Sequence, residues 1–192
     1  MDTSLILKNV SKHVTLKDFE AAQFVALLQE RRLNKKELLQ KEGEVCKHSA
    51  FVVEGALKGY SVDKSGGEHV LNFAVADWWI ADMYSLFSQK PGVLAIKALV
   101  DSKILLLSRE DQQLLFERVP KFERFFRILV ENSLVANQQR LLDNLALTAE
   151  ERYLKFMEKY AFVFQCTPLH DIASYLGITP EFLSKIRRKI SQ

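Results

Sequence analysis

Residues 167–188, TPLHDIASYLGITPEFLSKIRR, decide how the C-terminal part of this chain folds. The pattern predicts two short helices that meet at a tight turn, because Gly177 is able to take the left-handed conformation that such a turn needs. Thr179 is suited to cap the second helix, and Pro180 is suited to its first turn, where the missing N–H costs nothing. Small and branched apolar side chains are expected to hold the two helices together, namely Ile172, Ala173, Leu176, Ile178, Leu183 and Ile186.

The second helix of this pair is predicted to present polar and cationic side chains to solvent. Glutamate, serine and cations supply the donors and acceptors that base edges and phosphates require. An ordinary helical hairpin with a cationic end is the alternative, since Lys and Arg also favour helix C-termini. The residues predicted to contact DNA are Thr179, Pro180, Glu181, Ser184, Lys185, Arg187 and Arg188.

The charge of the chain is concentrated in the same region. The formal net charge is only +3 over 192 residues, which is mild for a nucleic-acid-binding protein. Residues 151–192 hold seven Lys and Arg against four Asp and Glu, whereas residues 1–150 are balanced. The excess positive charge therefore lies in the last fifth of the chain, where it suits a phosphate backbone.

Residues 50–108 have a strand-like pattern that is rich in β-branched and aromatic residues. Ser65-Gly66-Gly67 and Asp101-Ser102 are turn signals between the runs. The pattern predicts a closed antiparallel roll of about 100 residues. Amphipathic helices are predicted before the roll, at about residues 16–33, and after it, at about residues 108–118, with Ser108 as the N-cap.

A long helix is predicted over about residues 122–147, because this segment contains no Gly or Pro. It would be about 39 Å long at 1.5 Å per residue, more than a small roll covers. Packing on its own roll is the alternative to self-association, and flanking apolar residues indicate that part of the helix does so. Every third and fourth residue forms a mainly apolar stripe, which predicts a coiled-coil-like homodimer interface through Phe125, Ile128, Asn132, Val135, Gln139 and Leu142.

A further helical region follows, because Thr148 and Glu151 form an N-cap signature. Residues 150–164 are predicted to form one amphipathic helix. The sequence thus predicts an α+β chain in three parts: a roll with flanking helices over residues 1–120, a dimerisation helix over 121–147, and an all-α helix-turn-helix domain over 148–192.

Composition excludes several classes of protein. Hydrophobic residues make up 48% of the chain and Gly and Pro are few, so a disordered or collagenous chain is excluded. No apolar run reaches the length of a membrane helix and no secretory signal is recognised, so we expect a cytoplasmic protein without a membrane partner. The two cysteines and four histidines have no metal-ligand spacing, and no phosphate-binding loop or nucleophile elbow is present. We therefore expect no metal, no cofactor and no enzymatic activity.

The order of roll, long helix and helix-turn-helix resembles the Crp/Fnr superfamily of bacterial transcription regulators, the relatives of the cyclic-AMP receptor protein. The resemblance covers nearly the whole chain, from the turn at residues 42–44 through residues 52–60, 67–68 and 77–82 to residues 172–177. It implies a cyclic-nucleotide-binding-like roll (a double-stranded β-helix) and a homodimer that binds double-stranded DNA at a near-palindromic operator. The family's recognition helix commonly reads Glu-x-x-Ser-Arg, and Glu181, Ser184 and Lys185 hold those positions. The resemblance therefore implies that Glu181 accepts from cytosine and that Lys185 reaches guanine or phosphate, without the bidentate fork of Arg.

Two departures from the family pattern shape the expectations. The cyclic-nucleotide cassette requires Gly-Glu and then Arg-Ser/Thr-Ala, whereas this chain has Asp82 for the Glu and Gly92 or its neighbours for the Arg, so we expect no response to cyclic AMP. An unidentified small-molecule effector is left open, with a pocket predicted at Trp79, Ala81, Asp82, Met83, Tyr84 and Lys90.

The second departure is that the sequence stops at Gln192, before the family's winged hairpin, which predicts weaker and more salt-sensitive DNA binding. A different function is the alternative to DNA binding. In it, the chain is a sensory or interaction module, and the C-terminal helix pair docks a protein or lipid partner.

Overall fold

The computed structural model describes residues 1–190, and the expectation drawn from the chain's end at Gln192 lies outside them. Within these residues, strands form two antiparallel four-stranded sheets, with the orders β1-β8-β3-β6 and β2-β7-β4-β5. The predicted antiparallel roll is confirmed. The strands are β1 (Gln29–Leu33), β2 (Leu38–Gln40), β3 (His48–Glu54), β4 (Ala56–Val62), β5 (Glu68–Val75), β6 (Trp79–Ile80), β7 (Ala95–Ala98) and β8 (Ser102–Ser108).

Helices precede, interrupt and follow the roll. Their bounds are α1 (Ser4–Ser11), α2 (Asp18–Ala26), α3 (Met83–Ser88), α4 (Arg109–Arg118), α5 (Lys121–Ala146), α6 (Ala149–Lys159), α7 (Ala161–Cys166), α8 (Leu169–Leu176) and α9 (Pro180–Ile190). The helices predicted after the roll and over the long segment are confirmed as α4 and α5. The Ser108 cap is confirmed by its side chain, which accepts from the N–H of Asp111 at 2.9 Å. The Thr148 cap is also confirmed, because its hydroxyl accepts from the N–H of Glu151 and the Glu151 carboxylate accepts from the N–H of Thr148.

Two helix predictions are wrong in extent. The helix expected over residues 16–33 ends at Ala26, and β1 follows. Gln29 to Leu33 pair with β8, so the hydrogen bonds of the sheet override a local helical pattern. The helix expected over residues 150–164 breaks at Tyr160, where the backbone leaves the helical region and the buried ring packs on Trp78 and Tyr175.

The interior of the roll is filled by apolar side chains from both sheets. Leu57 and Ile96 of one sheet meet Val52 and Ile104 of the other, and all four are buried. Alternate residues of a strand point to opposite faces, so each sheet also has an outer face to cover. On the first sheet, α1, α2, α4 and the start of α5 provide the cover.

The outer face of the second sheet is covered by the C-terminal helices. Phe73 on β5 packs against Phe156 and Tyr160 at 5.9 Å and against Tyr175 at 5.3 Å between ring centroids. A single apolar cluster includes β4 and β5 residues together with α6, α7, α8 and α9 residues. The helix pair at residues 169–190 is therefore packed on the roll rather than separate from it.

Candidate nucleic-acid interface

The α8–α9 turn has the geometry that its sequence predicts. Gly177 ends α8 with φ +67°, in the left-handed region. The N–H of Ile178 donates to the carbonyl of Ala173 at 3.0 Å, which closes the turn. Thr179 accepts from the N–H of Phe182 at 3.2 Å through its hydroxyl, and α9 begins at Pro180. The predicted helix-turn-helix geometry is confirmed.

The inner faces of the two helices form part of the core. Ile172, Ala173 and Leu176 on α8 are buried, as are Leu183 and Ile186 on α9. The spacing of three residues on α9 places both apolar side chains on one face. The opposite face of α9 is therefore left to solvent.

Most of the residues predicted to contact DNA lie on that exposed face. Thr179, Pro180, Glu181, Lys185 and Arg188 are all exposed. No ion pair joins Lys185 or Arg188 to a carboxylate within residues 1–190. The pKa of Glu181 lies below its usual range, because backbone and Thr179 hydrogen bonds at the start of α9 favour the carboxylate. The face thus offers one acceptor near the helix start and two cations further along.

Ser184 and Arg187 lie differently from the other predicted contacts. Both are only partly exposed, and the Ser184 hydroxyl donates to the carbonyl of Pro180 at 2.9 Å. The Arg187 guanidinium lies 5.3 Å from the ring centroid of Phe164 on α7. Arg187 thus packs on α7, on the flank of α9 away from Lys185 and Arg188.

A buried ionic cluster holds α8 against the roll. Lys58 on β4 lies 2.5 Å from a carboxylate oxygen of Asp171 on α8 and 2.5 Å from one of Glu68 on β5. The side chains of Lys58 and Asp171 are almost fully buried. Glu68 also pairs with Lys97 at 2.8 Å. Partial burial raises the pKa of Glu68, but the Lys58 and Lys97 ammonium groups outweigh it and hold the pKa below its usual range.

Ser174 completes this contact at the edge of the sheet. β5 is an edge strand, so its outer backbone groups need partners other than a strand. The N–H of Val70 donates to the Ser174 hydroxyl at 2.9 Å, and that hydroxyl donates to the carbonyl of Glu68 at 2.9 Å. Sequence reasoning missed these roles. The sequence feature that could have indicated these roles is Lys58, a charged residue within the apolar strand pattern of residues 56–60.

In the segment predicted as an effector pocket, the Asp82 carboxylate is already used in hydrogen bonds within the chain. Asp82 is buried, and its carboxylate accepts from the backbone N–H groups of Ser85, Val93 and Leu94 at 2.9–3.1 Å. A Cβ added at Gly92 would lie 2.6 Å from an Asp82 carboxylate oxygen. Asp82 therefore caps α3 and fixes the following loop.

The structure does not bring together all six residues predicted for that pocket. Ala81 is buried beside Cys46 and Leu86, whereas Met83, Tyr84 and Lys90 are exposed. The placement of Trp79 with them is wrong. Its indole packs on Phe51, Phe125 and Phe126 in the helical layer outside the first sheet. Alternation along β6 explains this, because Ile80 takes the position that faces into the roll.

The long helix exposes an apolar stripe, but the stripe is rotated from the predicted one. Phe125 is fully buried in the core of its own chain, so its assignment to a dimer interface is wrong. Ile128 is partly buried, whereas Asn132 and Gln139 are exposed and line a groove beside α6. The exposed apolar side chains of α5 are Val130, Leu134, Val135, Leu141, Leu142 and Leu145.

Within residues 1–190, no group of three or more Cys, His, Asp and Glu side chains is arranged to hold a metal ion. Among the helices of the same residues, none combines the length and the apolar character needed to cross a membrane.

Comparison with known sequences matches residues 30–119 to the cyclic nucleotide-binding domain family. The regulatory protein HlyX of Actinobacillus pleuropneumoniae is 22% identical over 90% of this chain and 76% of its own length. An anaerobic regulatory protein of Aggregatibacter actinomycetemcomitans is 23% identical over 90% of this chain and 71% of its own length.

Solved structures share the fold over most of the chain. FixK2 of Bradyrhizobium japonicum superposes with a TM-score of 0.74 at 21% identity, covering 85% of this chain and 84% of that one. The regulator CLP of Xanthomonas campestris, described as responsive to c-di-GMP, gives a TM-score of 0.72 at 14% identity, covering 91% and 92%. The fold of the chain is therefore a roll of the cyclic nucleotide-binding type, followed by a long helix and a helix-turn-helix. The chain is thus similar in sequence to regulatory proteins over most of its length, and it shares its fold with FixK2 and CLP.

Proposed function

We propose that this chain is a transcription regulator that binds double-stranded DNA as a homodimer in the cytoplasm, and that it is not an enzyme. The observation that carries the proposal is the exposed face of α9, which presents Glu181, Lys185 and Arg188 on a helix whose opposite face is anchored in the core. A helix held in this way is suited to enter the major groove of DNA. The names of the sequence relatives, which are regulatory proteins, support the same function.

Each residue of this face has a chemical role in the proposal. The Glu181 carboxylate accepts from a cytosine amino group, and Lys185 donates to guanine or to a phosphate. Arg188, one turn further along, contacts the phosphate backbone. Ser184 contributes after its hydroxyl exchanges the Pro180 carbonyl for a base or a phosphate. Arg187 has the smaller role of fixing α9 on its own domain.

The proposed organisation has three parts, with the roll over residues 1–120, the dimer helix over 121–147 and the DNA-binding domain over 148–192. Two copies associate through the exposed apolar stripe of α5. A two-fold symmetric dimer presents two α9 helices to half-sites about 34 Å apart, which corresponds to a near-palindromic operator.

Cyclic AMP is not the effector in this proposal. The Asp82 carboxylate already accepts from the backbone N–H groups at the start of α3 and in the following loop. A cyclic phosphate placed there would meet a buried negative charge rather than a donor. Lys90, the nearest cation in sequence, is exposed and offers a point charge rather than a bidentate fork.

Selection of binding sites from a random duplex library tests the proposal. We expect the wild-type chain to enrich an inverted repeat, and the Lys185→Gln/Arg188→Gln variant to enrich none. Arg32→Gln, which removes an exposed cation from β1, is the matched control and should select the same repeat as wild type. Failure of the wild-type chain to enrich any sequence, or enrichment of the same repeat by the double variant, would contradict the proposal. A thermal-shift measurement with cyclic AMP should show no stabilisation.

A further inference from the structure

A groove of about 650 Å³ lies between the long helix and the helix-turn-helix. One wall is formed by the C-terminal half of α5, and the other by α6 and the end of α8. This volume is in the range of small-molecule sites, which occur preferentially where structural units meet. The groove is distinct from the roll, whose interior is packed with apolar side chains.

The groove carries more positive than negative charge. Lys155 pairs with Asp143 at 2.9 Å, which neutralises both. The other cations have no carboxylate partner within residues 1–190, and they face only one further acid. The charged residues that line the groove are Arg140, Arg152, Lys155 and Lys159, with Asp143 and Glu158.

Arg140 and Arg152 are partly buried, whereas Lys159 is exposed. Partial desolvation nevertheless lowers the pKa of Lys159, and the neighbouring Arg140 lowers it further. Arg152 donates through Nη1 to the carbonyls of Asn144 and Leu147, but its buried Nε has no hydrogen-bond partner among the described residues. Desolvated cations gain more from an approaching anion than exposed ones do, because water screens them less.

The remaining lining of the groove combines aromatic and aliphatic side chains with the amides of Asn132, Gln139 and Asn144. Phe156, Tyr160 and Tyr175 form its floor, and Val135 lies on the opposite wall. The Arg140 guanidinium lies 5.1 Å from the ring centroid of Tyr175. Rings beside cations are suited to a ligand that is both planar and negatively charged.

We infer that this groove binds a small anion that carries an aromatic ring, such as a mononucleotide or an aromatic carboxylate. Dimerisation through α5 leaves the groove open except at Val135, which belongs both to the exposed stripe and to the groove wall. At 3.6 residues per turn, Ala136 lies roughly opposite Leu134, Leu141 and Leu145 around the helix, and Arg140 lies about 100–140° from them. The ligand would contact α5 on one side and α6 and α8 on the other, so it fixes the helix-turn-helix relative to the long helix.

The inference is tested without DNA, so its failure is separate from failure of the proposed function. The probe is GMP labelled with N-methylanthraniloyl, and its fluorescence anisotropy is measured with the full-length chain. Wild type should bind with a Kd below about 1 mM, and Lys159→Gln should bind about tenfold more weakly, as expected for removal of one charge-assisted hydrogen bond. Arg140→Gln should weaken binding similarly. Arg127→Gln, which lies on α5 outside the groove, is the matched control and should bind as wild type does.

Competition with unlabelled compounds distinguishes the two ligand classes, a mononucleotide and an aromatic carboxylate. Displacement by unlabelled GMP but not by indole-3-acetate indicates a nucleotide, and the reverse indicates an aromatic carboxylate. Urea unfolding of each variant checks that the fold is intact. Arg140→Gln is the variant more at risk of being unstable, since Arg140 also donates to the carbonyl of Leu71. If it is unstable, the conclusion rests on Lys159→Gln alone. Absence of saturable binding by either class, or wild-type affinity in Lys159→Gln, would overturn the inference.

Discussion

Replacement of Lys58 by methionine should destabilise the protein strongly, although the residue lies far in sequence from the helix-turn-helix. The Lys58 ammonium is the main partner of the buried Asp171 carboxylate. His170 approaches the same carboxylate only to 3.5 Å, with a largely exposed side chain. Methionine preserves the length and the apolar stem of lysine but removes its charge.

The size of the destabilisation follows from the burial of both residues of the ion pair. The side chains of Lys58 and Asp171 are only 4% and 3% exposed. Removal of one partner from a buried ion pair costs about 3–5 kcal/mol, because the other charge stays buried without compensation. Glu68 is affected less, since it is partly exposed and keeps its pair with Lys97. We therefore expect a destabilisation near the lower end of this range, about 3 kcal/mol.

Urea unfolding followed by circular dichroism measures this destabilisation. With a slope of about 2–3 kcal/mol per molar urea, the midpoint of Lys58→Met should fall by about 1 M or more. The Lys58→Met/Asp171→Leu variant should recover most of the stability, because two well-packed apolar side chains replace the pair. A single variant within about 1 kcal/mol of wild type would refute this reasoning, and so would a double variant no more stable than the single one.

Three further predictions concern the stripe, the turn and the ionic cluster. Leu134→Asp/Leu141→Asp should sediment as a monomer while Asn144→Asp, off the stripe, stays dimeric; a dimeric double variant would place the interface elsewhere. Gly177→Val should lower the free energy of unfolding by roughly 1–2 kcal/mol, because φ is +67° there, and unchanged stability would mean that the turn relaxes without strain. The lowered pKa of Glu68 contributes stability that is present above its ordinary value of 4.5 and is lost as pH falls through the folded value. Urea midpoints of wild type should therefore fall more steeply than those of Glu68→Gln as the medium is acidified from pH 6, and parallel pH profiles would argue against this role.

The sequence predicts local structure well where the determining residues are neighbours. Three predicted features depend only on residues within one or two helical turns of each other. They are the turn at Gly177, the cap at Thr148 and the long helix α5, which contains no Gly or Pro. These features were predicted because a glycine conformation or a capping hydrogen bond depends on few other residues.

Features that depend on tertiary packing were not predictable in the same way. The helical periodicity of residues 16–33 was outweighed by pairing of β1 with β8, which lies about 70 residues later in the chain. Periodicity identified an apolar stripe on α5 but not its rotation, because Phe125 packs on Trp79 and His13, which lie outside α5. The contact between Lys58 and Asp171 joins residues 113 positions apart, so neither local pattern indicates it.

The proposal that α9 binds DNA is tested most directly by the salt dependence of binding to the selected duplex. Fluorescence anisotropy should give a log K that falls linearly with log salt concentration for wild type. The Lys185→Gln/Arg188→Gln variant should bind more weakly, with a slope reduced by about 0.9 for each phosphate that the variant no longer neutralises. The Arg32→Gln control should keep the wild-type slope. A double variant with wild-type affinity and slope would contradict the assignment of α9 as the DNA-binding surface.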